Sequence, residues 1–172
     1  MKTIEVRRHS IRAKPGQNLI QQGVTLARLV GESMGKFDRV ITSTSPRALQ
    51  TAIAMGYAVD EEVELIATFG DDVELECPWP ASFAEYSAAN RQNGATKRYT
   101  QRLAEFYVKL AESLPEGGAA LVVNHGGVVE LSVVACLPDA DLTSLGDYIE
   151  CCEGVRLTWD KGQFTGVEVL RE

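Results

Sequence analysis

Three short clusters carry the residue types that could handle a phosphoryl group. They are Arg8-His9-Ser10, Ser43 followed one helical turn later by Arg47, and His125-Gly126-Gly127. A phosphoryl group bears charge on three peripheral oxygens and needs fixed cationic donors that persist through its transfer, a need met by the planar fork of arginine. A neutral imidazole nitrogen can attack phosphorus, and nearby arginines favour that neutral form by like-charge repulsion. His9, flanked by Arg8, is therefore the expected nucleophile. His125, with two glycines permitting close backbone approach, is expected to hydrogen-bond the same oxygens, assisted by the amino-terminal dipole of a following helix.

Both histidines of the chain fall in these clusters, so the elements that deliver them decide whether they meet. Thr3 to Val6 reads as a strand running into Arg8, and Arg39 to Thr42 as a second strand. Ser43-Thr44-Ser45-Pro46 then supplies hydroxyl caps and an N-terminal proline for a helix from Arg47 to about Met55. The continuous apolar run Ala119 to Val123 has the character of a central strand buried on both faces, and it ends at Asn124-His125. Apolar spacing predicts helices over Val24 to Met34, Phe83 to Asn90, Lys97 to Leu114 and Val128 to Leu137. A further strand is expected over Val63 to Thr68, followed by an acidic loop from Gly70 to Glu76. Val155 to Trp159 and Phe164 to Leu170 should close as a hairpin. The alternation of strands and helices predicts an α/β fold, a three-layer α/β/α sandwich with a mostly parallel sheet, whose loops gather at the strands' carboxyl ends.

At these residues the chain resembles the histidine phosphatase superfamily, the phosphoglycerate mutase-like fold. The hallmark Arg-His-Gly appears as Arg8-His9-Ser10. The second signature is matched by Ser43 with Arg47-Ala48-Leu49-Gln50-Thr51-Ala52, and the late His-Gly-Gly of the mutase-like arm by His125-Gly126-Gly127. The acid phosphatase arm extends the first motif to a second arginine, which nominates Arg12 as a phosphate ligand beside Arg8, Ser43 and Arg47. Ser10 departs from the family's glycine; its backbone must be accessible to a non-glycine residue, or its hydroxyl must donate to phosphate. Ser43 itself has two readings, a phosphate contact or a helix cap.

The resemblance also implies a proton donor, a Glu or Asp from the region after the second signature. Glu74 is the choice here because it follows a strand-like run and precedes an apolar residue; Asp71, Asp72 and Glu76 are its competitors. Arg7 is expected to be a solvated residue at the edge of the first strand, pointing away from Arg8. Trp79 and Tyr86 receive no role.

A chain of 172 residues, 45% of them hydrophobic, suits a single domain spanning 1–172. A net charge of −7 disfavours nucleic acid as a partner. No run is apolar and long enough to span a membrane, and the N-terminus lacks a signal-peptide core, so a cytoplasmic location is expected. Cys77, Cys136, Cys151 and Cys152 form no metal-binding spacing. Neither a metal nor another cofactor is expected. The expected activity is hydrolysis of a phosphorylated small molecule or phosphoprotein through phosphohistidine. The alternatives are a mutase-like phosphotransferase, which the short span available for a lid disfavours, and a phospho-ligand-binding module without turnover.

Overall fold

Residues Ala119 to Asn124 form strand β4, and their alternation shows how the sheet is covered. Ala120 and Val122 pack on one side in the largest apolar cluster, while Leu121 and Val123 pack on the other against Ala48 and Ala52. A strand buried on both faces needs helices on both faces. The computed structural model, which describes Met1 to Glu172, supplies them. Helices α1 (Gln21–Ser33) and α2 (Pro46–Ala54) pack together on one side; α4 (Phe83–Asn90), α5 (Ala95–Ser113) and α6 (Val128–Cys136) cover the other. A short helix α3 (Asp71–Glu76) leans on α5.

The strands β1 (Lys2–Arg8), β2 (Arg39–Ser43), β3 (Glu61–Val63), β4, β5 (Gly154–Asp160) and β6 (Gln163–Leu170) form one sheet in the order β3-β2-β4-β1-β5-β6. The first four strands in that order run parallel, and the closing hairpin β5-β6 runs antiparallel. In register, Arg8 lies opposite Asn124, and Thr42 opposite Val123. The carboxyl ends of β1, β4 and β2 therefore finish side by side, as the predicted three-layer α/β fold requires. No helix is long and apolar enough to cross a membrane.

Three local expectations are corrected. The stretch expected as a strand over Val63 to Thr68 is strand only at Glu61–Val63 and then coils into a 3₁₀ turn, Glu64–Ile66, which turns Ile66 fully into the core. The acidic stretch expected as a loop is helix α3, because Gly70 takes φ 84° to start it and three acids fall in the first turn, where the backbone dipole favours negative charge. Arg7 is buried, not solvated. It does point away from Arg8, but β1 is a central strand with both faces covered, so burial forces pairing. Arg7 Nε donates to Glu5 Oε2 at 3.3 Å, and Nη1 donates to the Cys152 carbonyl at 3.0 Å and to Glu172 Oε1 at 2.5 Å.

Candidate active site

At the shared carboxyl edge of β1, β4 and β2 lies a cavity of about 460 Å³. Four cations line it, Arg8, Arg12, Lys14 and Arg47, together with two acids, Asp71 and Glu74, and both histidines. The rings of His9 and His125 stand with centroids 5.2 Å apart. The register of β1 on β4 brings them together, and the His9 N–H donates to the Asn124 carbonyl at 2.9 Å.

The His9 ring is held in one tautomer. Its Nδ1 lies 2.7 Å from the Ser10 carbonyl, which can only accept, so Nδ1 carries the proton. Nε2 is then the atom with the lone pair, and Arg47 Nε donates to it at 3.2 Å. Burial, aided by the charges of Arg47, Arg8 and Arg12 and opposed by the Ser10 bond, pushes the pKa of His9 down to about 4. That of His125 falls to about 3, again mainly by burial, with His9 and the same arginines adding to it. Both rings are neutral at pH 7. This is the state in which Nε2 of His9 can act as a nucleophile.

Arg47 belongs to the first turn of α2, which Pro46 begins, and its Nη1 donates to Ser45 Oγ at 3.0 Å and to Gln17 Oε1. Arg8 Nη1 donates to the Ile149 carbonyl at 2.9 Å, and its guanidinium lies over the Trp79 ring, 5.1 Å from the centroid. Arg12 lines the same cavity from the loop after β1, anchored through Nη1 to the Gly16 carbonyl at 3.1 Å. No carboxylate neutralises Arg12, Lys14 or Arg47, and the nearest to Arg8, Glu150, is 3.9 Å away.

Ser43 is buried at the end of β2 and does not open directly onto the cavity. Its Oγ stands 2.7 Å from His125 Nε2 and accepts from the Ser45 N–H at 3.3 Å. Neither of its two sequence readings matches this placement: the hydroxyl orients a histidine in place of facing the cavity, and the N–H it accepts from is that of Ser45, the residue before α2, not one of the helix itself. Ser10 keeps a negative φ, so its position tolerates a side chain. Its hydroxyl donates to the Gly23 carbonyl at 2.7 Å, tying the loop to α1, and is not directed at the cavity.

Folding of the acidic stretch into α3 separates its four acids. Asp71 and Glu74, three positions apart, line the cavity. Asp72 faces a neighbouring groove beside Arg98 and Arg102. Glu76 turns away, accepting from Ala95 N, Thr96 N and Thr96 Oγ1 at 2.6, 2.9 and 2.5 Å. Glu74 is held where it stands because both carboxylate oxygens accept from the Trp79 N–H, at 3.2 and 3.1 Å.

Sequence reasoning left Trp79 unassigned, yet its ring forms the cavity wall. It lies against Gly126, where a Cβ would collide with the indole. The second glycine of the His-Gly-Gly cluster has a different reason: Gly127 has φ 83°, and a Cβ there would meet Phe69 and the Tyr86 hydroxyl. Tyr86 itself is fully buried. Also overlooked was Glu130, a lone acid in the apolar run Val128 to Cys136. A carboxylate three residues after a turn glycine, inside an otherwise apolar helix, was the available signal.

Against known proteins, the sequence matches the model of the histidine phosphatase superfamily (branch 1) over residues 3–170. No curated protein matches it. Among solved structures it is similar to a phosphoserine phosphatase from Entamoeba histolytica in complex with 3-phosphoglyceric acid, at 15% identity and a TM-score of 0.72, covering 100% of this chain and 98% of that one. A mycobacterial glucosyl-3-phosphoglycerate phosphatase has 17% identity and a TM-score of 0.71, covering 99% and 98%. A phosphoglycerate mutase from Bacillus anthracis has 18% identity and a TM-score of 0.68, covering 98% and 92%. At these identities the structures speak for the shared fold, and the sequence model speaks for the family. With the two histidines side by side in an arginine-lined cavity and a family model matching nearly the whole length, this chain belongs to the histidine phosphatase superfamily, branch 1.

Proposed function

We propose that this chain, acting as a single domain over 1–172, is a phosphatase that hydrolyses a phosphorylated small molecule or phosphoprotein through a phosphohistidine on His9. The observation that carries this reading is the fixed tautomer of His9: Nδ1–H bound to Ser10 O and the Nε2 lone pair facing Arg47 in a cationic cavity.

In the first step Arg47 Nε shifts its hydrogen bond from His9 Nε2 to a phosphoryl oxygen, the freed Nε2 lone pair bonds to phosphorus, the bond from phosphorus to the ester oxygen breaks, and that oxygen leaves with the electron pair. Glu74, which lines the same cavity, gives it a proton. Arg8, Arg12 and Arg47 hold the three peripheral oxygens, and His125, oriented by Ser43, hydrogen-bonds them as their charge changes. In the second step water attacks phosphorus, the N–P bond breaks with its electrons returning to Nε2, and the Glu74 carboxylate takes the water's proton. Inorganic phosphate leaves. The positive charge that this chemistry needs is supplied by guanidinium groups, so the reading requires no metal and no cofactor.

Hydrolysis of an aryl phosphate with chelator present tests it, alongside rapid quenching to trap labelled protein. Turnover and a label, both lost in His9→Ala, are the expected result. Turnover that survives in His9→Ala overturns it. Oxyanion binding without turnover on any phosphomonoester would instead favour a binding module.

A further inference from the structure

Glu130 is the one carboxylate of the chain with no exposure at all, sitting in α6 among valines and leucines. Burying a charge is costly unless it is fully hydrogen-bonded, and both oxygens here are used. Oε2 accepts from the Gly127 N–H at 2.7 Å, and Oε1 accepts from the Ile149 N–H at 2.7 Å. Neither partner lines the cavity, but each stands directly behind a residue that does. Gly127 closes the turn that carries His125, and the Ile149 carbonyl is the acceptor that holds Arg8 at 2.9 Å. Gly127 has no side chain with which to start α6, so the carboxylate also performs that capping from within the helix.

We propose that Glu130 is a positioning residue of the oxyanion pocket, and that only its ionised carboxylate clamps the His125 turn to the Ile149 strap that holds Arg8. This rests on the cavity being an oxyanion site, and extends that reading to a group that never touches the ligand. Two oxygens that each accept from an N–H satisfy a carboxylate. Protonation turns one of them into a hydroxyl, a weaker acceptor whose own proton must be placed among apolar side chains, so it loosens one side of the clamp.

Burial pushes the pKa of Glu130 up to about 7, opposed by its backbone bonds and by the charge of Arg8. The other groups facing it do not titrate there. Arg8 from β1 acts on it through its guanidinium. Tyr86 from α4, and Tyr107 from α5, which lies 2.9 Å from Ser132 on α6, have phenols pushed far above their ordinary range by burial. His125, at the head of α6, and His9 titrate well below this window.

The test uses sulfate, which is a dianion from pH 5.5 to 8.5, with binding to the full chain followed by calorimetry. In the wild type, affinity should fall several-fold as pH drops through about 7. In Glu130→Gln, confirmed folded by its thermal melt, affinity at pH 8 should be lower on the order of tenfold, the usual effect of removing a group that orients ligands from behind. Its pH profile should be flat. A wild-type profile that is flat over this range overturns the proposal without recourse to any variant, and so does a Glu130→Gln protein that keeps both the affinity and the slope. If wild type binds no sulfate at any pH, the oxyanion reading of the cavity falls, and this inference with it.

Discussion

The floor and the roof of the cavity are built in opposite ways. The floor comes from the ends of three adjacent parallel strands, β1, β4 and β2, and each of its functional side chains is held by at least one hydrogen bond: His9 by Ser10 and Arg47, His125 by Ser43, Arg8 by Ile149. The roof comes from a six-residue helix and the turn behind it, with Asp71 exposed and Glu74 held by one backbone N–H. A strand end in a doubly covered sheet has little freedom, so it suits groups that must be fixed before the ligand arrives. A short peripheral helix opens locally at low cost, which suits a wall that must admit a substrate and release a product.

If that division is right, the largest losses come from the floor. His9→Ala should lower turnover by a factor on the order of 10⁴ or more and abolish the labelled intermediate in rapid-quench experiments. Arg47→Ala removes both an oxyanion donor and the partner of Nε2, and should cost about 10²–10³ in kcat. A small effect from either change, set beside a large one in α3, would invert the comparison.

The roof should fail in a way that depends on the leaving group. Glu74→Gln should cost about 10²-fold on an alkyl phosphate, whose alkoxide needs a proton, and only a few-fold on p-nitrophenyl phosphate, whose phenolate does not. Asp71→Asn is the sharpest control, because Asp71 lines the same cavity. If the leaving-group dependence follows Asp71 and not Glu74, the proton donor is Asp71. Asp72→Asn should change neither rate, since Asp72 faces a different groove.

The same contrast explains what could be read in the sequence. Arg8, His9, Ser43, Arg47 and His125 were legible because each follows an apolar run, and strands buried on both faces write themselves as such runs. Glu74 could be narrowed only to four acids, because a run read as loop carries no periodicity from which to tell which acid points where. Once Asp71 to Glu76 is helical, steps of about 100° send Asp71 and Glu74 one way, with Asp72 and Glu76 elsewhere. Arg7 was misread for a related reason. Alternation gave its direction correctly, but solvation depends on what covers the second face, and the C-terminal Glu172 that reaches it is 165 residues away along the chain. Glu130 shows the limit from the other side. Its isolation among apolar residues was visible, but the distant Ile149 N–H that completes its bonding was not.

The floor also sets a pH signature of stability. The folded-state pKa values of His9 and His125, about 4 and about 3, lie below the ordinary 6.5. The unfolded chain therefore binds more protons between those limits, and stability rises with pH through this window. The contribution is full above pH 6.5 and is lost as pH falls towards 4 and then 3. Melting temperatures from pH 4 to 6.5 should rise less steeply for His9→Phe than for the wild type. An unchanged slope would show that His9 is not held neutral by its surroundings.

The smallest effect belongs to the acid that leaves the chemistry altogether. Glu76 ends α3 and receives two N–H bonds and one hydroxyl bond from Ala95 and Thr96 at the start of α5, where Gly94 offers no side-chain cap of its own. It thus acts as the cap of the longest helix from outside that helix, and Glu76→Ala should cost about 1 kcal/mol, read as a lower melting temperature with kcat unchanged. Bonding to Thr96 holds its carboxyl below the usual range, so this contribution is present above the ordinary carboxylate pKa and disappears as pH falls below it. Loss of stability with intact kcat would separate α5's anchorage from the roof. Loss of kcat would mean that the roof depends on how α3 is tied to α5, which would make the two walls of the cavity less different than their construction implies.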